Sequence, residues 1–210
     1  SYKLIIIILM DDQNLCKDEF KEIVENLDAQ IKMIELTPFI EYENAKPQDM
    51  IPVLGPLGNG FFEEEPQEAI LIGGGIGIAP LFSLADKFNE IGIKPTLIYG
   101  ARSKDDIVLI EELSKIADLH ICTDDGSLGF KGNVIEYLKQ SNIEFDYYYA
   151  CGPHKMLEFL SKAYSNGCLS LEARMGCGFG ACMGCSIETT KGPKRVCKEG
   201  PVFEASEVLF

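Results

Sequence analysis

The stretch AILIGGGIGIAPLFSLADKF, residues 69–88, joins a short apolar run, a glycine-rich turn and an amphipathic segment. AILIG (69–73) has the length and the unbroken apolar character of a strand that is buried on both faces. A helix is predicted near 80–90, because the apolar residues there recur at helical spacing. These residues are Leu81, Leu84, Ala85 and Phe88. A strand that leads through glycines into a helix is typical of a parallel α/β unit.

Strand and helix alternate in this way from residue 69 to residue 164. Further strands are predicted at PTLIYG (95–100), LHIC (119–122) and FDYYYA (145–150), and a last one at LSLE (169–172). Further helices are predicted at DDIVLIEELSKIAD (105–118), NVIEYLKQ (133–140) and HKMLEFLSKAY (154–164). The last helix is predicted to face inward with Met156, Leu157, Leu160 and Ala163. The predicted fold class is α/β, with a doubly wound parallel sheet.

Composition and charge argue against several classes of partner. The chain has 210 residues and a formal net charge of −14, from 19 basic and 33 acidic side chains. Such an acidic balance argues against nucleic acid and against anionic membrane surfaces as partners. The opening SYKLIIIILM is too short to span a membrane and lacks a signal-peptide cleavage site, so a cytoplasmic protein is expected. The first part of the chain predicts a strand (2–10), a helix (17–28) and a strand (31–40).

Four cysteines near the C-terminus follow the spacing C-x4-C-x2-C, then eleven residues, then C: Cys177, Cys182, Cys185 and Cys197. This is the plant-type spacing of a [2Fe–2S] cluster, and the glycines between the first three cysteines allow a tight loop. Structural zinc usually uses two CxxC knuckles, whereas only one occurs here. Disulfides would require an oxidising compartment. The spacing therefore predicts a [2Fe–2S] cluster, with zinc and disulfides as alternatives.

The other four cysteines show no ligand spacing. Cys16, Cys122 and Cys168 are expected to be small buried apolar residues. Cys151 differs because it opens the tripeptide CGP at the end of a predicted strand.

The glycine-rich segment GGGIGIAP (73–80) lies between a strand and a helix, where backbone amides can bind a pyrophosphate. It departs from G-x-G-x-x-G, and a tight turn without a ligand is the alternative. YGAR (99–102), TDDGSLGFKG (123–132) and ACGP (150–153) follow at other strand ends, so a dinucleotide site is predicted there. The candidate residues are Gly73, Gly74, Gly75, Ile76, Gly77, Pro80, Asp124, Asp125, Cys151, Gly152 and Pro153. Asp124 and Asp125 could equally be ordinary turn residues.

Together these motifs resemble the family of electron-transfer subunits of NAD-linked (class 1B) dihydroorotate dehydrogenase, within the ferredoxin-reductase superfamily. The resemblance extends from about Leu54 to Phe210. The segment LEARMGCGFGACMGCSIETTKGPKRVCKEGPVF (171–203) is its most specific part. GPLGNGF (55–61), GGGIGIAPL (73–81), TDDGSLGFKG and ACGP belong to the same pattern.

The resemblance implies an oxidoreductase subunit of pyrimidine biosynthesis. In such a system NADH reduces FAD, and the electrons then pass singly through the [2Fe–2S] cluster to FMN in a catalytic dihydroorotate dehydrogenase subunit. The expected domains are an abbreviated N-terminal segment (1–60), an NAD-binding α/β domain (61–166) and a cluster subdomain (167–210). Residues 73–77 and Pro80 would hold the dinucleotide, with the aspartates nearby and Cys151 beside the nicotinamide.

FAD is the cofactor with the least support in the sequence. The family binds it in a six-stranded N-terminal barrel with an R-x-[YI]-S type motif. Here about 55 residues precede GPLGNGF, and the first arginine is Arg102. Two other functions stay open: the small subunit of an NADPH-linked ferredoxin oxidoreductase or sulfhydrogenase, and a non-catalytic iron–sulfur sensor or adaptor.

Overall fold

The computed structural model describes residues 57–61 and 68–210, all within one compact unit. The strand predicted at 2–10, the helix at 17–28, the strand at 31–40 and Cys16 lie outside the described residues. The two boundaries expected between the three domains stay predictions. The structure adds that strands from both sides of the boundary at 166/167 share one sheet.

That sheet has seven strands among the described residues, in the order β4-β3-β2-β1-β5-β6-β9. Neighbouring strands are parallel except β6 and β9, which are antiparallel. A separate antiparallel hairpin pairs β7 with β8. The strands are β1 Ala69–Gly74, β2 Thr96–Ala101, β3 Asp118–Thr123, β4 Phe130–Lys131, β5 Tyr147–Cys151, β6 Gly167–Ser170, β7 Ser186–Ile187, β8 Lys194–Arg195 and β9 Val202–Glu204.

Helices cover both faces of this sheet, as the predicted doubly wound fold requires. They are α1 Ile78–Glu90, α2 Ile110–Ile116, α3 Val134–Ser141 and α4 His154–Ala163. One buried cluster contains side chains of α1 and α2, and a second contains side chains of α3 and α4. The second cluster also includes Cys185, Val196 and Cys197, so the cysteine-rich segment packs on that face.

The helix predicted at 105–118 is wrong in length. The structure has a 3-10 turn at Lys104–Asp106, extended backbone at Ile107 and a helix only at Ile110–Ile116. Ser103 closes the early turn by donating its N–H and its hydroxyl to the Asp106 carboxylate, at 3.2 and 3.0 Å. Leu109 then adopts a left-handed conformation with φ 59°, which a continuous helix does not allow.

One residue of the last helix does not face inward as predicted. Leu157 and Leu160 are buried and Met156 is half-buried, as predicted, but Ala163 is exposed. Ala163 is the final residue of α4, and the chain turns away immediately after it. In the part of the chain that the structure describes, no helix has the length and apolar character to cross a membrane.

A buried carboxylate ties the last residues of the chain to the β7–β8 segment. Glu207 is only 6% exposed, and it lies 2.9 Å from Lys194 and 3.0 Å from Lys191. Burial alone would raise the pKa of Glu207, but the hydrogen bonds from Lys194 and Lys191 outweigh it and hold the pKa below its ordinary value. Because the folded-state pKa is depressed, the stabilisation is present above the unfolded pKa and is lost as the pH falls.

We expect Glu207→Gln to lower the free energy of unfolding by about 1–3 kcal/mol at neutral pH, because it removes a carboxylate from two ammonium groups. The difference from wild type should shrink as the pH falls below the ordinary glutamate pKa of about 4.3 and through the lower folded-state pKa of Glu207. Urea unfolding at several pH values measures both effects. Glu188→Gln, at an exposed glutamate nearby, is the control. An equal loss in both variants, or a difference that does not vary with pH, would contradict the assignment.

Candidate functional site

The carboxyl ends of the parallel strands bring together two predicted segments, the glycine-rich turn after β1 and the CGP turn after β5. The two strands pair directly, with Gly73 opposite Cys151. A Cβ at Gly77 would lie 2.3 Å from the Cys151 carbonyl oxygen, and one at Gly74 would lie 2.6 Å from Pro153 Cδ. Real Cβ atoms do not approach this closely, so the two turns touch only because these positions are glycine.

Beyond this contact the turn is open. Gly75 has φ +55°, and an added Cβ there would meet nothing within 4 Å. Helix α1 begins directly after Gly77, and no side chain caps its N-terminus. The Ile78 N–H bonds to the Gly75 carbonyl and Pro80 has no N–H, so an anionic group such as a pyrophosphate would be attracted here mainly by the positive end of this 13-residue helix. Ile76 is 71% exposed beside this opening, whereas Pro80 is buried in the first helical turn.

Asp124 and Asp125 follow β3, two strands away from β1, and they occupy different environments. Asp125 accepts the backbone N–H of Ser127 at 2.9 Å and its hydroxyl at 2.6 Å. These hydrogen bonds lower the pKa of the Asp125 carboxyl. Asp125 therefore has a turn role, the alternative raised above. Asp124 is exposed, and its backbone N–H donates to Ala101 at 3.1 Å, which ties the loop to the end of β2.

Cys151 lies below the surface of this edge. Its side chain is 4% exposed, and burial raises the pKa of the thiol to about 11. The thiol is therefore protonated at neutral pH, and a thiolate nucleophile is not available at this position. Its backbone still forms the turn that contacts Gly77.

The four spaced cysteines form two pairs. Cys177 and Cys182 are linked because the backbone N–H of each donates to the sulfur of the other at 3.4 Å. Cys185 and Cys197 lie with their sulfurs 3.2 Å apart, and the Cys197 N–H donates to Cys185 Sγ at 3.4 Å. The first pair is partly exposed to solvent, whereas the second is buried against the α3–α4 face.

Backbone amides also surround the outer pair. Ala181 N–H donates to Cys177 Sγ at 3.2 Å and Gly184 N–H to Cys182 Sγ at 3.4 Å. Hydrogen bonds from the backbone of Cys182, then of its neighbours, lower the pKa of Cys177 to about 6. Burial, then the hydrogen bond and charge of Cys185 and the charge of Cys177, raise the pKa of Cys197 to about 11.

This donor set fits a two-iron cluster. Each iron of a [2Fe–2S] centre takes two protein thiolates, and amide donors to sulfur stabilise the charge on such a centre. Among the described residues, no three His, Cys, Asp or Glu side chains converge as a single metal ion would need. The positive observation is the division of the thiols into two neighbouring pairs.

An ion pair that the sequence analysis did not identify joins the two halves of this segment. Arg195 donates its Nε to Glu199 at 3.0 Å and its terminal nitrogens to the second Glu199 oxygen and to the Gly180 carbonyl. The hydrogen bonds from Arg195 hold the pKa of Glu199 down at about 2. The available signal was an Arg and a Glu four residues apart on either side of Cys197, which is weak because such pairs are common on surfaces.

The segment 57–61, part of the GPLGNGF motif, docks beside the fourth cysteine. Asn59 N–H donates to the Gly200 carbonyl at 2.7 Å, and its side-chain amide donates to the Glu199 carbonyl at 3.0 Å. A Cβ at Gly58 would lie 2.4 Å from the Gly200 oxygen. The two motifs are about 140 positions apart in sequence but adjacent in the fold.

Two family models match this chain. Residues 172–209 match the iron–sulfur cluster binding domain of dihydroorotate dehydrogenase B, and residues 71–162 match the oxidoreductase NAD-binding domain. The first match covers the four paired cysteines, and the second covers the strand ends and their turns.

Similar proteins agree with these matches. The chain is 43% identical, over 79% of its length, to electron transfer subunits of dihydroorotate dehydrogenase B (NAD(+)) from Geobacillus kaustophilus and Fusobacterium nucleatum. It spans 67% and 68% of the length of these two relatives. A solved structure of an NADH-dependent reduced ferredoxin-NADP oxidoreductase, studied for flavin-based electron bifurcation, aligns with a TM-score of 0.67 and 33% identity. That alignment covers 76% of this chain and 60% of the other.

Proposed function

Because this chain belongs to the family of electron transfer subunits of NAD-linked dihydroorotate dehydrogenase B, we propose that it carries electrons between NAD(H) and a partner flavoenzyme. The single observation that supports this most strongly is the division of four correctly spaced cysteines into two adjacent thiol pairs. We assign Cys177 and Cys182 to one iron of a [2Fe–2S] cluster and Cys185 and Cys197 to the other. When bound, such a cluster accepts and releases one electron at a time.

The dinucleotide site in this proposal lies where the β1–α1 turn and the CGP turn touch. The positive end of α1, which no side chain caps, would attract the pyrophosphate, and the open space at Gly75 would admit it. The site would be formed by Gly73, Gly74 and Gly77 on one side and Cys151, Gly152 and Pro153 on the other, at the point where strand order reverses. Asp124 is the aspartate available to a ligand, since Asp125 holds the turn.

The partner in this proposal is a catalytic, FMN-containing dihydroorotate dehydrogenase subunit. The relatives are electron transfer subunits, which implies a second subunit that performs the chemistry on the substrate. We also propose a cytoplasmic location. The thiols that would hold the cluster stay reduced in such a compartment.

The proposal is tested by co-expressing the full chain with a dihydroorotate-oxidising catalytic subunit and purifying the complex anaerobically. The expected result is a stable complex that reduces NAD⁺ with dihydroorotate as the donor, together with a visible cluster spectrum. The catalytic subunit alone is the control. Flavin released from the denatured complex, separated into FMN and FAD, reports whether FAD accompanies the cluster. A complex that does not form, or that forms without NAD⁺ reduction, would contradict the proposal.

The solved structure at 33% identity favours a second candidate, an NAD(P)-linked ferredoxin oxidoreductase subunit. This function predicts NAD(P)H-dependent reduction of ferredoxin and no activity with dihydroorotate. The same preparation, assayed with both donors and both acceptors, distinguishes the two.

A further inference from the structure

Arg195 occupies a position that touches both halves of the cysteine-rich segment. Its guanidinium donates to the carbonyl of Gly180, which lies in the loop between Cys177 and Cys182. Its own backbone stands two residues before Cys197, in a strand where Ser186 pairs with Arg195. One side chain therefore bridges the outer thiol pair and the inner thiol pair.

Hydrogen bonds fix both the backbone and the side chain of Arg195. Glu199 accepts from the Arg195 backbone N–H at 2.8 Å and from its Nε at 3.0 Å, so both backbone and side chain are fixed by one carboxylate. The Arg195 carbonyl in turn accepts the N–H groups of residues 198, 199 and 200 at 2.9–3.2 Å. Arg195 and Glu199 side chains are 21% and 32% exposed, so this pair is more sheltered than an ordinary surface pair.

The loop that the guanidinium contacts also has little freedom of its own. Gly180 is buried with φ +92°, and a Cβ there would lie 2.7 Å from Lys198 Cδ. The loop is thus seated directly on the turn that carries Cys197. Among the described residues, no other hydrogen bond ends on the Gly180 carbonyl, so removal of the guanidinium would leave this buried group without that partner.

We propose that Arg195, held by Glu199, is a positioning residue that fixes the loop of Cys177 and Cys182 against the pair of Cys185 and Cys197. This rests on the proposed function, since it concerns how those thiolates are presented to the cluster. The forked geometry matters because a planar guanidinium can bind a carboxylate and a carbonyl at the same time, which an ammonium group does not reproduce. Removal of such a supporting contact typically weakens metal binding by about 10- to 100-fold.

The Arg195–Glu199 ion pair also places two opposite charges beside the thiolates. A positive charge near a cluster favours its reduced, more negative form, and a negative charge favours its oxidised form. Loss of Arg195 alone should therefore make the reduction potential more negative. Loss of the Glu199 charge alone should make it more positive. A purely structural role would not move the two potentials in opposite directions.

The experiment compares the full chain with Arg195→Met, Arg195→Lys and Glu199→Gln, each purified anaerobically with its cluster. The matched control is Lys162→Met. It removes another i,i+4 ion pair, between Lys162 and Glu158 at 2.6 Å, on the solvent-facing side of α4. The readouts are the rate of iron loss to a chelator and the reduction potential by redox titration. We expect iron loss about tenfold faster in Arg195→Met, with partial rescue in Arg195→Lys. The potentials of Arg195→Met and Glu199→Gln should shift in opposite directions.

Several outcomes overturn the inference without touching the proposed function. One is that Arg195→Met loses iron at the rate of Lys162→Met; another is that both charge variants shift the potential in the same direction. If Arg195→Met does not accumulate in folded form, Arg195→Lys and Glu199→Gln provide the test. The role is refuted if both variants lose iron at the wild-type rate and have the wild-type reduction potential. A wild-type chain that holds no cluster would instead refute the proposed function itself.

Discussion

Cys182→Ala is expected to abolish assembly of the iron–sulfur centre, and the purified variant should be colourless where the wild type is reddish-brown. Cys182 is the most exposed of the four spaced cysteines, and the N–H groups of Cys177 and Gly184 donate to its sulfur. Its loss leaves one iron with a single protein thiolate, which is too few to retain it. The variant should also unfold at lower temperature, because the binding free energy of a cluster contributes to the stability of the fold around it.

The matched control for this change is Cys122→Ala. Cys122 lies in β3, fully buried, and burial raises the pKa of its thiol to about 12, so it is a packing residue. This variant should keep the visible spectrum of the wild type and lose only about 1 kcal/mol of stability. Visible absorbance per chain measures the outcome. A coloured Cys182→Ala protein, or a colourless Cys122→Ala protein, would contradict the ligand assignment.

Gly77→Ala should have the second largest effect, a loss of at least about tenfold in affinity for NADH. The new Cβ would lie 2.3 Å from the Cys151 oxygen and 2.8 Å from the Gly152 nitrogen. Both are backbone atoms, so relief requires the two turns to separate, and the proposed dinucleotide site lies at their junction. Overpacking of this kind also costs about 1–3 kcal/mol of stability.

Two glycine variants separate this clash from the general effect of adding a methyl group. Gly60→Ala meets nothing within 4 Å and should behave as wild type. Gly75→Ala also meets no protein atom, but its φ of +55° adds backbone strain of about 1 kcal/mol. Its methyl group would enter the space proposed for the pyrophosphate, so it should weaken NADH binding without the clash between the turns. Titration with NADH and thermal unfolding rank the three variants. Wild-type NADH affinity in Gly77→Ala would remove the β1–α1 turn from the proposed site.

The parallel sheet was predictable because its strands are short apolar runs that alternate with amphipathic helices. β1 and α1 lie within two residues of their predicted bounds. The helix predicted at 105–118 was too long for a local reason. A pattern of apolar residues does not reveal that Ser103 and Asp106 close a separate turn before the helix. Nor does it reveal that Leu109 adopts a left-handed conformation, which is rare for a leucine.

The candidate site was predictable to a smaller extent. Cysteine spacing identified the four thiols but not their division into an exposed pair and a buried pair, which depends on packing against α3 and α4. Arg195 and Asn59 were not identified, because the contacts that join them to the cysteine-rich segment end on the backbone carbonyls of Gly180 and Glu199, which have no signature in sequence. The two aspartates after β3 looked equivalent in sequence, and only the hydrogen bonds of Ser127 distinguish them.

The central claim is that the paired thiols hold a two-iron centre. The most direct test is quantitative analysis of iron, zinc and acid-labile sulfide in the anaerobically purified full chain. The predicted result is about two irons and about two sulfides per chain, as the composition of a [2Fe–2S] cluster requires, with all iron lost in Cys182→Ala. About one zinc per chain with no labile sulfide would contradict the account.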